Sequence, residues 1–594
     1  MTHIYKKIKS VVSEHKGILF CSFFMVILIF APLMIFPNII KDQYQGININ
    51  HFGTDADFYL TRGKEILDGN DLGSTLLREG KNEQDPFFSY SEYILLAPIK
   101  LLGLAQKVNI VSVYNAYNFI GIFFLILLIY FFVLQLSGNK LLSISSALFV
   151  VGGYSIVYNK LLFYSDFNIY GRLIYPYFSS LILFLYLNLL LKSLKSAGLR
   201  YKIFAALALG LLFYVYFFAW SFILAFNAIL FLIFILKKDF LIARKILFIG
   251  LGGLVLGSYN LIRIFLFMGS EMGKQASYFT RMSYSHGPIF SKIGFITLII
   301  FAVYYYKRRD DKHWPFLLAL ILGGWVALNQ QIISGKMLQY GHYYWYFIVP
   351  LSIAASFYIV WQLIKNEKLK KFLFLFIVFV VFINTAGGQY RSFFTTVEAK
   401  KYEQNFRPII DILNNVKKPA VILAGDEADG YLFTIYTPHD LFWHSAAAIG
   451  FVPIQRFKDA LFMYFYLNKE SRNDFADYLA RAGDNKVNDA FYFYQNLYRN
   501  LEGYWSGLSY YEYENKIAAD DTALSQKRPE IVDQLSREYN ETILKNDGAD
   551  KLLKKYGVNY IVWDKNKFPE WDLSVVGNLK LVTESHNIFL YRLN

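Results

Sequence analysis

The chain has 594 residues, of which 55% are hydrophobic and 19% aromatic, with 47 tyrosines and 57 phenylalanines. That is too apolar and aromatic for an ordinary soluble protein, and its apolar runs of about 18 residues or more point to transmembrane helices. The net charge of +15 does not call for nucleic acid, because the lysines and arginines cluster in short loops between apolar runs, as the positive-inside rule requires.

Eleven apolar segments are expected to span the membrane: 17–37, 110–136, 142–159, 173–191, 203–219, 221–236, 245–268, 290–306, 315–331, 344–363 and 371–387. The first has a basic lead-in and no small-residue cleavage site, so it reads as a retained span and not a removed signal peptide. It holds Cys21, the single cysteine, so no internal disulfide can form. The run 203–236 is too long for one crossing and is divided near Ala219-Trp220.

Five basic clusters then fall on one side. They are Lys6, Lys7, Lys9 and Lys16; Lys192, Lys195, Arg200 and Lys202; Lys237, Lys238, Arg244 and Lys245; Lys307, Arg308, Arg309 and Lys312; and Lys365, Lys368, Lys370 and Lys371. This places the N-terminus in the cytoplasm. The large loop 38–109, the short loop holding Asp166, the loops 269–289 and 332–343, and the C-terminal region then face outward. The expected architecture is a polytopic α-helical membrane domain over 1–389, followed by a soluble extracytoplasmic α/β domain over 390–594. In that second domain Ala420–Gly425, Val558–Trp563 and Asn587–Arg592 read as strands, and 456–480, 486–502 and 528–545 as helices. No internal repeat is visible.

Four places carry candidate chemistry. The first is Gly53-Thr54-Asp55-Ala56-Asp57-Phe58-Tyr59 at the start of the large outer loop, ahead of a helical stretch that ends at Asp68-Gly69. Thr54 or Asp55 can cap that helix. Alternatively Asp55 and Asp57 supply a general base or hold a cation. The second is Asp166, in a short outer loop with Arg172 as its nearest charge partner. A carboxylate so near hydrocarbon needs a partner. An Asp166–Arg172 pair and a functional carboxylate are both open. The third is Asn329 to Tyr344, where Lys336, Tyr340, His342, amides and the glycines Gly335 and Gly341 stand at the outer end of a span. The set suits a phosphate. It is equally an interfacial aromatic belt with a snorkelling lysine. The fourth is Arg263, near the outer end of 245–268, which either snorkels outward or holds an anion in a polar cavity. Walker-type loops, HExxH and cysteine metal spacings are absent. Asp55-Ala56-Asp57 has the DxD form of nucleotide-sugar sites, but on this side of the membrane a lipid-borne donor is the better expectation.

The layout resembles the GT-C glycosyltransferases, polytopic enzymes that take a sugar from a polyprenyl-phosphate carrier on the outer face. Asp55 followed by Tyr59 and Glu65-Ile66-Leu67, in a large first outer loop, is similar to the family's first acidic motif. Tyr164-Ser165-Asp166 stands in the place of the second. Tyr214 to Trp220 resembles an aromatic segment of the family's cores, and Tyr556 to Val562 a strand of its extracytoplasmic domains. The WWDYG acceptor motif of oligosaccharyltransferases is absent and Trp563-Asp564-Lys565 does not replace it, so asparagine-linked transfer is not expected.

The resemblance implies an integral enzyme of the prokaryotic cell (inner) membrane. It would move a sugar from a polyprenyl-phosphate donor to a glycan, lipid or protein acceptor, among membrane lipids and with no nucleic acid. It implies Asp55, with Asp57 as its rival, as the catalytic carboxylate. Asp166, Arg172, Arg263, Lys336, Tyr340 and His342 would bind substrate. A divalent cation, Mg or Mn, would rest on Asp55 and Asp166, with His51 near enough in sequence to join. A transporter or flippase of lipid-linked intermediates is the alternative, as is an inactive relative of the same fold. The transporter reading suits repeated halves and mid-span acids. Here the acids lie in loops.

Overall fold

A computed structural model describes residues 9–10, 12–50, 53–196, 198–274, 282–425, 427–450, 452–482, 492–519, 521–545 and 547–594. All eleven apolar segments are helical. Eight of the described helices are long and apolar enough to cross a membrane, as expected of an integral membrane protein. The other three, Lys140–Gly152, Leu199–Val215 and Lys292–Lys307, have 13, 17 and 16 residues.

Local sequence explains where these helices stop. Asn109 caps Ile110–Ser137 by accepting the amides of Val111 and Ser112, and Gly138 ends it in the left-handed region at φ 66°. The run 203–236 breaks at Tyr216, not at Ala219-Trp220: Leu199–Val215 ends and Phe217–Leu236 begins on either side of an extended Tyr216 at φ −159°, ψ 121°. The orphaned Val215 carbonyl at that break accepts hydroxyls from Ser89 and Ser91 at 3.1 Å and from Tyr175 at 2.6 Å. Those three hydroxyls meet the hydrogen-bonding demand that a helix end inside a protein otherwise leaves unmet.

Among the described residues, basic clusters after the first lie close to one another's loops. Lys195 reaches the Gln135 carbonyl, Lys245 the carbonyls of Leu194 and Ser196, and Arg308 that of Gln362.

The first loop folds as its own layer. Its helix Thr54–Asp68 is entered from Gly53 at φ 48° and closed by Gly69 at φ 96°. Arg62, 2% exposed, is buried between Asp85 and Glu92, with two parallel bonds of 3.1 Å to Asp85. Arg263 does not face an anion cavity: its guanidinium bonds Gln84 and lies over the rings of Tyr90 and Tyr259 at 5.6 and 5.5 Å, tying its span to this loop.

The helix Glu367–Glu403 runs 37 residues without interruption, so no break falls at 389/390. At 1.5 Å per residue it is about 55 Å long. Strands β1 (Met282–Tyr284) and β2 (Lys336–Leu338), far apart in sequence, form a small two-stranded antiparallel sheet. Beyond the long helix lie β3 (Val421–Ala424), β4 (Asp440–Leu441), β5 (Val558–Asp564), β6 (Leu579–Ser585) and β7 (Ile588–Leu593). They make one mixed sheet in the order β4-β3-β5-β7-β6, with β3 parallel to β4 and β5. The expected strands are present, and β4 and β6 are additional. The stretch 456–480 is two helices, Ile454–Leu467 and Phe475–Ala482.

The C-terminal sheet domain sits on the first loop. Lys81 bridges Glu65 at 2.6 Å and Asp440 at 2.7 Å, Thr61 and Thr434 share a 2.8 Å hydroxyl bond, and the Leu441 amide donates to Leu76.

Candidate functional site

The two acids of the first-loop helix part company. Residues two apart on a helix do not face one another. The Asp55 carboxylate is 40% exposed and ion-paired with the Arg172 guanidinium. The Asp57 carboxylate is buried, accepts from Asn50 at 2.7 Å and faces Lys400, which itself bridges Glu403 at 2.6 Å. Burial pushes the Asp57 pKa up, with Lys400 and Asn50 acting against the rise. Asp57 therefore joins the first loop to the long helix and forms no pair with Asp55. Neither acid caps the helix through its side chain, since Gly53 holds the cap position with no side-chain bond.

Arg172 is set in place from several elements. Asn118, from the helix Ile110–Ser137, donates to the carbonyls of Gly171 and Arg172 at 3.1 and 3.0 Å. Its guanidinium reaches Asp55 through Nε and the Tyr346 hydroxyl through Nη1. Tyr346 lies in a π-helical turn, Tyr344–Ile348, inside the apolar segment Gly341–Leu363. Such single π turns recur at functional sites, because the extra residue re-aims side chains. The anticipated Asp166–Arg172 salt bridge does not form: the partner of Arg172 is Asp55.

Asp166 is exposed, and its one hydrogen bond among the described residues is from the Phe167 amide at 2.9 Å. Partial desolvation raises its pKa, against that amide and the Arg172 charge. Its loop is held by Asn384, which accepts the Phe163 amide, and by Gln389, which accepts that of Asn168.

His342 stands on the other flank. Its Nδ1 lies 2.7 Å from the Tyr216 hydroxyl, and its ring packs on Phe218 at 4.6 Å and near Tyr346 at 5.3 Å. Tyr216 in turn stacks on Tyr175 at 4.2 Å, and Tyr175 meets Tyr59 edge-on at 5.6 Å. The helix break at Tyr216 is what turns its ring toward His342. Lys336 and Tyr340, by contrast, are exposed: Lys336 begins β2 and forms no ion pair among the described residues. The structure thus brings together Asp55, Arg172 and, through Tyr346 and the aromatic ring, His342. It leaves Asp57, Arg263, Lys336 and Tyr340 outside that group.

The described residues do not by themselves assemble a cation site. Among the described residues no three His, Cys, Asp or Glu side chains converge. The Asp55 carboxylate already faces a guanidinium. His51, a possible further ligand, lies outside the described residues.

Sequence reasoning did not single out Tyr346, Tyr216 or Asn118 as site residues. Tyr216 does lie in the aromatic segment Tyr214 to Trp220 noted above. Tyr346 sits in the run Tyr343-Tyr344-Trp345-Tyr346, where nothing marks one ring over the next.

No protein-family model and no curated protein matches the chain. Among solved structures it is similar to the archaeal oligosaccharyltransferase AglB of Archaeoglobus fulgidus in complex with an inhibitory peptide and a dolichol-phosphate. That likeness has 11% identity and a TM-score of 0.44, covering 94% of this chain and 72% of that one. The A. fulgidus oligosaccharyltransferase tethered to an acceptor peptide gives 12% identity and a TM-score of 0.46, covering 96% and 74%. ArnT from Cupriavidus metallidurans bound to undecaprenyl phosphate gives 11% identity and 0.45, covering 73% and 88%. We therefore take the functional reading from the residues of the site.

Proposed function

We propose that the protein is an integral membrane glycosyltransferase of GT-C type. In this reading it moves a sugar from a polyprenyl-phosphate donor to an acceptor on the extracytoplasmic side of the prokaryotic cell membrane. One observation carries the reading: a half-exposed first-loop carboxylate, Asp55, is held by Arg172 against Tyr346 at the end of an apolar helix. A base and a cation are thereby poised together where a lipid head group and a soluble acceptor meet.

Asp55 takes the proton of the acceptor hydroxyl as that oxygen attacks the anomeric carbon. A positioned base is worth about 10²–10⁴-fold. The bond from the anomeric carbon to the phosphate oxygen breaks, and its electron pair stays on the phosphate. Arg172 and His342 face that developing charge, and cations or N–H donors preset at such a point stabilise the transition state. When Tyr216 donates to Nδ1, the His342 proton sits on Nε2, free for a phosphate oxygen. No step is assigned to a metal.

The test is transfer from a panel of radiolabelled polyprenyl-phosphate sugars by the purified full-length protein, with Asp55→Asn as control. Labelled product from wild type and none from a folded Asp55→Asn is expected. Equal product from both would remove Asp55 from the reaction. Absence of product together with saturable lipid-phosphate binding would favour a transporter of lipid-linked intermediates.

A further inference from the structure

Near Arg172, whose charge acts on Asp166, there is a cleft open to solvent. It lies between the turn 152–169 and the long helix Glu367–Glu403. Tyr154, Tyr158 and Tyr164 give it aromatic walls, and Tyr154 and Tyr158 are stacked at 5.6 Å. Most of its polar lining is already committed. Asn168 donates to the Val151 carbonyl, Asn384 to that of Gly152, and Gln389 to that of Ile29. What remains uncommitted is specific. Asp166 is the one charged side chain in the lining, and among the described residues its Oδ2 makes no hydrogen bond. The Asn159 carboxamide and the Tyr164 hydroxyl also make none among the described residues.

A carboxylate oxygen, a carboxamide and flat tyrosine faces together discriminate between occupants. An apolar occupant would leave the acid and the amide unpaired, at a cost. An anion would meet the Asp166 charge. A polyol satisfies all of them. A carboxylate accepts from hydroxyls, a carboxamide both donates and accepts, and the C–H face of a pyranose lies against an aromatic ring. We propose that this cleft is a pyranose subsite, with Asp166 and Asn159 taking ring hydroxyls and Tyr158 or Tyr164 the apolar face. Calling the occupant the acceptor's sugar rests on the glycosyltransferase reading; the binding itself does not.

The experiment is saturation-transfer NMR on the full-length protein in lipid nanodiscs, with methyl α-mannopyranoside, methyl β-glucopyranoside and methyl β-galactopyranoside as probes. At least one is expected to show transfer to its ring protons. Asp166→Asn should weaken its Kd about ten-fold, the loss of one charge-assisted hydrogen bond. Tyr158→Ala should weaken it likewise, and Asp55→Asn should leave it unchanged. Binding that follows this pattern without any glycosyl transfer would keep the subsite and discard the transferase reading. Silence from all three probes, or equal signals in wild type, Asp166→Asn and Tyr158→Ala, would overturn the subsite. So would displacement of the glycoside by inorganic phosphate, which would make the cleft an anion site.

Discussion

Arg172 is ion-paired with Asp55, a residue of the first long loop, and not with Asp166, its near neighbour in sequence. One guanidinium thus connects the soluble-facing loop to the Tyr346 hydroxyl in the membrane domain. A planar fork can hold both partners at fixed angles, whereas an ammonium cannot. Arg172→Lys is therefore expected to keep the fold and reduce transfer by on the order of 10²-fold, the scale of a misplaced catalytic group. Thermal unfolding and initial rates on the same preparation check this; an unfolded Arg172→Lys protein would make the residue structural.

Asp55 and Asp57 should separate by assay. Asp57→Ala leaves the Asn50 amide unpaired in a buried setting, so it should cost about 1–3 kcal/mol of stability. Asp57→Asn removes a buried charge and keeps a hydrogen-bonding group, so it should be nearly neutral. Because the folded pKa of Asp57 is raised above 3.8, its contribution to stability is present below that value. The contribution is lost as pH rises through the folded pKa. Asp57→Asn should flatten this part of the stability profile. Asp55→Asn should instead leave melting unchanged and abolish transfer.

Tyr216→Phe removes the partner of His342 Nδ1 while preserving the stack on Tyr175. Transfer should fall by about ten-fold, the worth of one hydrogen bond at a working group. A double-mutant cycle with His342→Ala should be non-additive. Additive losses would show that the two rings act separately.

Lys81→Met leaves Glu65 and Asp440 facing each other without their shared cation. Loss of one partner from such a buried set costs about 3–5 kcal/mol. The folded pKa of Glu65 is already raised by burial, and removing Lys81 raises it further. Protonating Glu65 relieves the repulsion. The destabilisation should therefore be larger near pH 8 than near pH 5, read by thermal melts at the two values.

The pyranose subsite should have an acid limb. Asp166 accepts hydroxyls as a carboxylate, and its pKa is raised above 3.8. Glycoside affinity should decline as pH falls through that raised value. In Asp166→Asn the affinity should be weak and flat over the same range, by NMR titration.

Much of the membrane domain was legible because hydropathy alone dictates it. Each apolar run became a helix. The break at Tyr216 was placed wrongly because length chose it. What fixes it is a set of hydroxyls, Ser89, Ser91 and Tyr175, that sequence spacing cannot bring to one carbonyl. The same holds at the site. Asp55 announced itself as an acid on an outer loop, yet its spacing to Asp57 suggested a pair that helix geometry forbids. For Arg172 the sequence offered only its near neighbour Asp166 as a charge partner, a pairing left open, and the π turn that brings Tyr346 to it has no local signature. Arg263 looked like an anion ligand because nothing in the sequence shows Gln84 and Tyr90 beside it.

The long helix Glu367–Glu403 has a mechanical consequence. A hydrocarbon core of about 30 Å grips only part of its length of about 55 Å. The rest extends beyond it and is packed into the first-loop layer, with Lys400 beside Asp57 and Gln404 just beyond, bonded to Gln45 and Ile47. Hydrophobic mismatch makes a span tilt in a thin bilayer and straighten in a thick one. Here that tilt is carried rigidly into the layer that bears Asp55. Bilayer thickness is thus an input to the geometry of the site, in a protein whose substrates would reach it from that same bilayer.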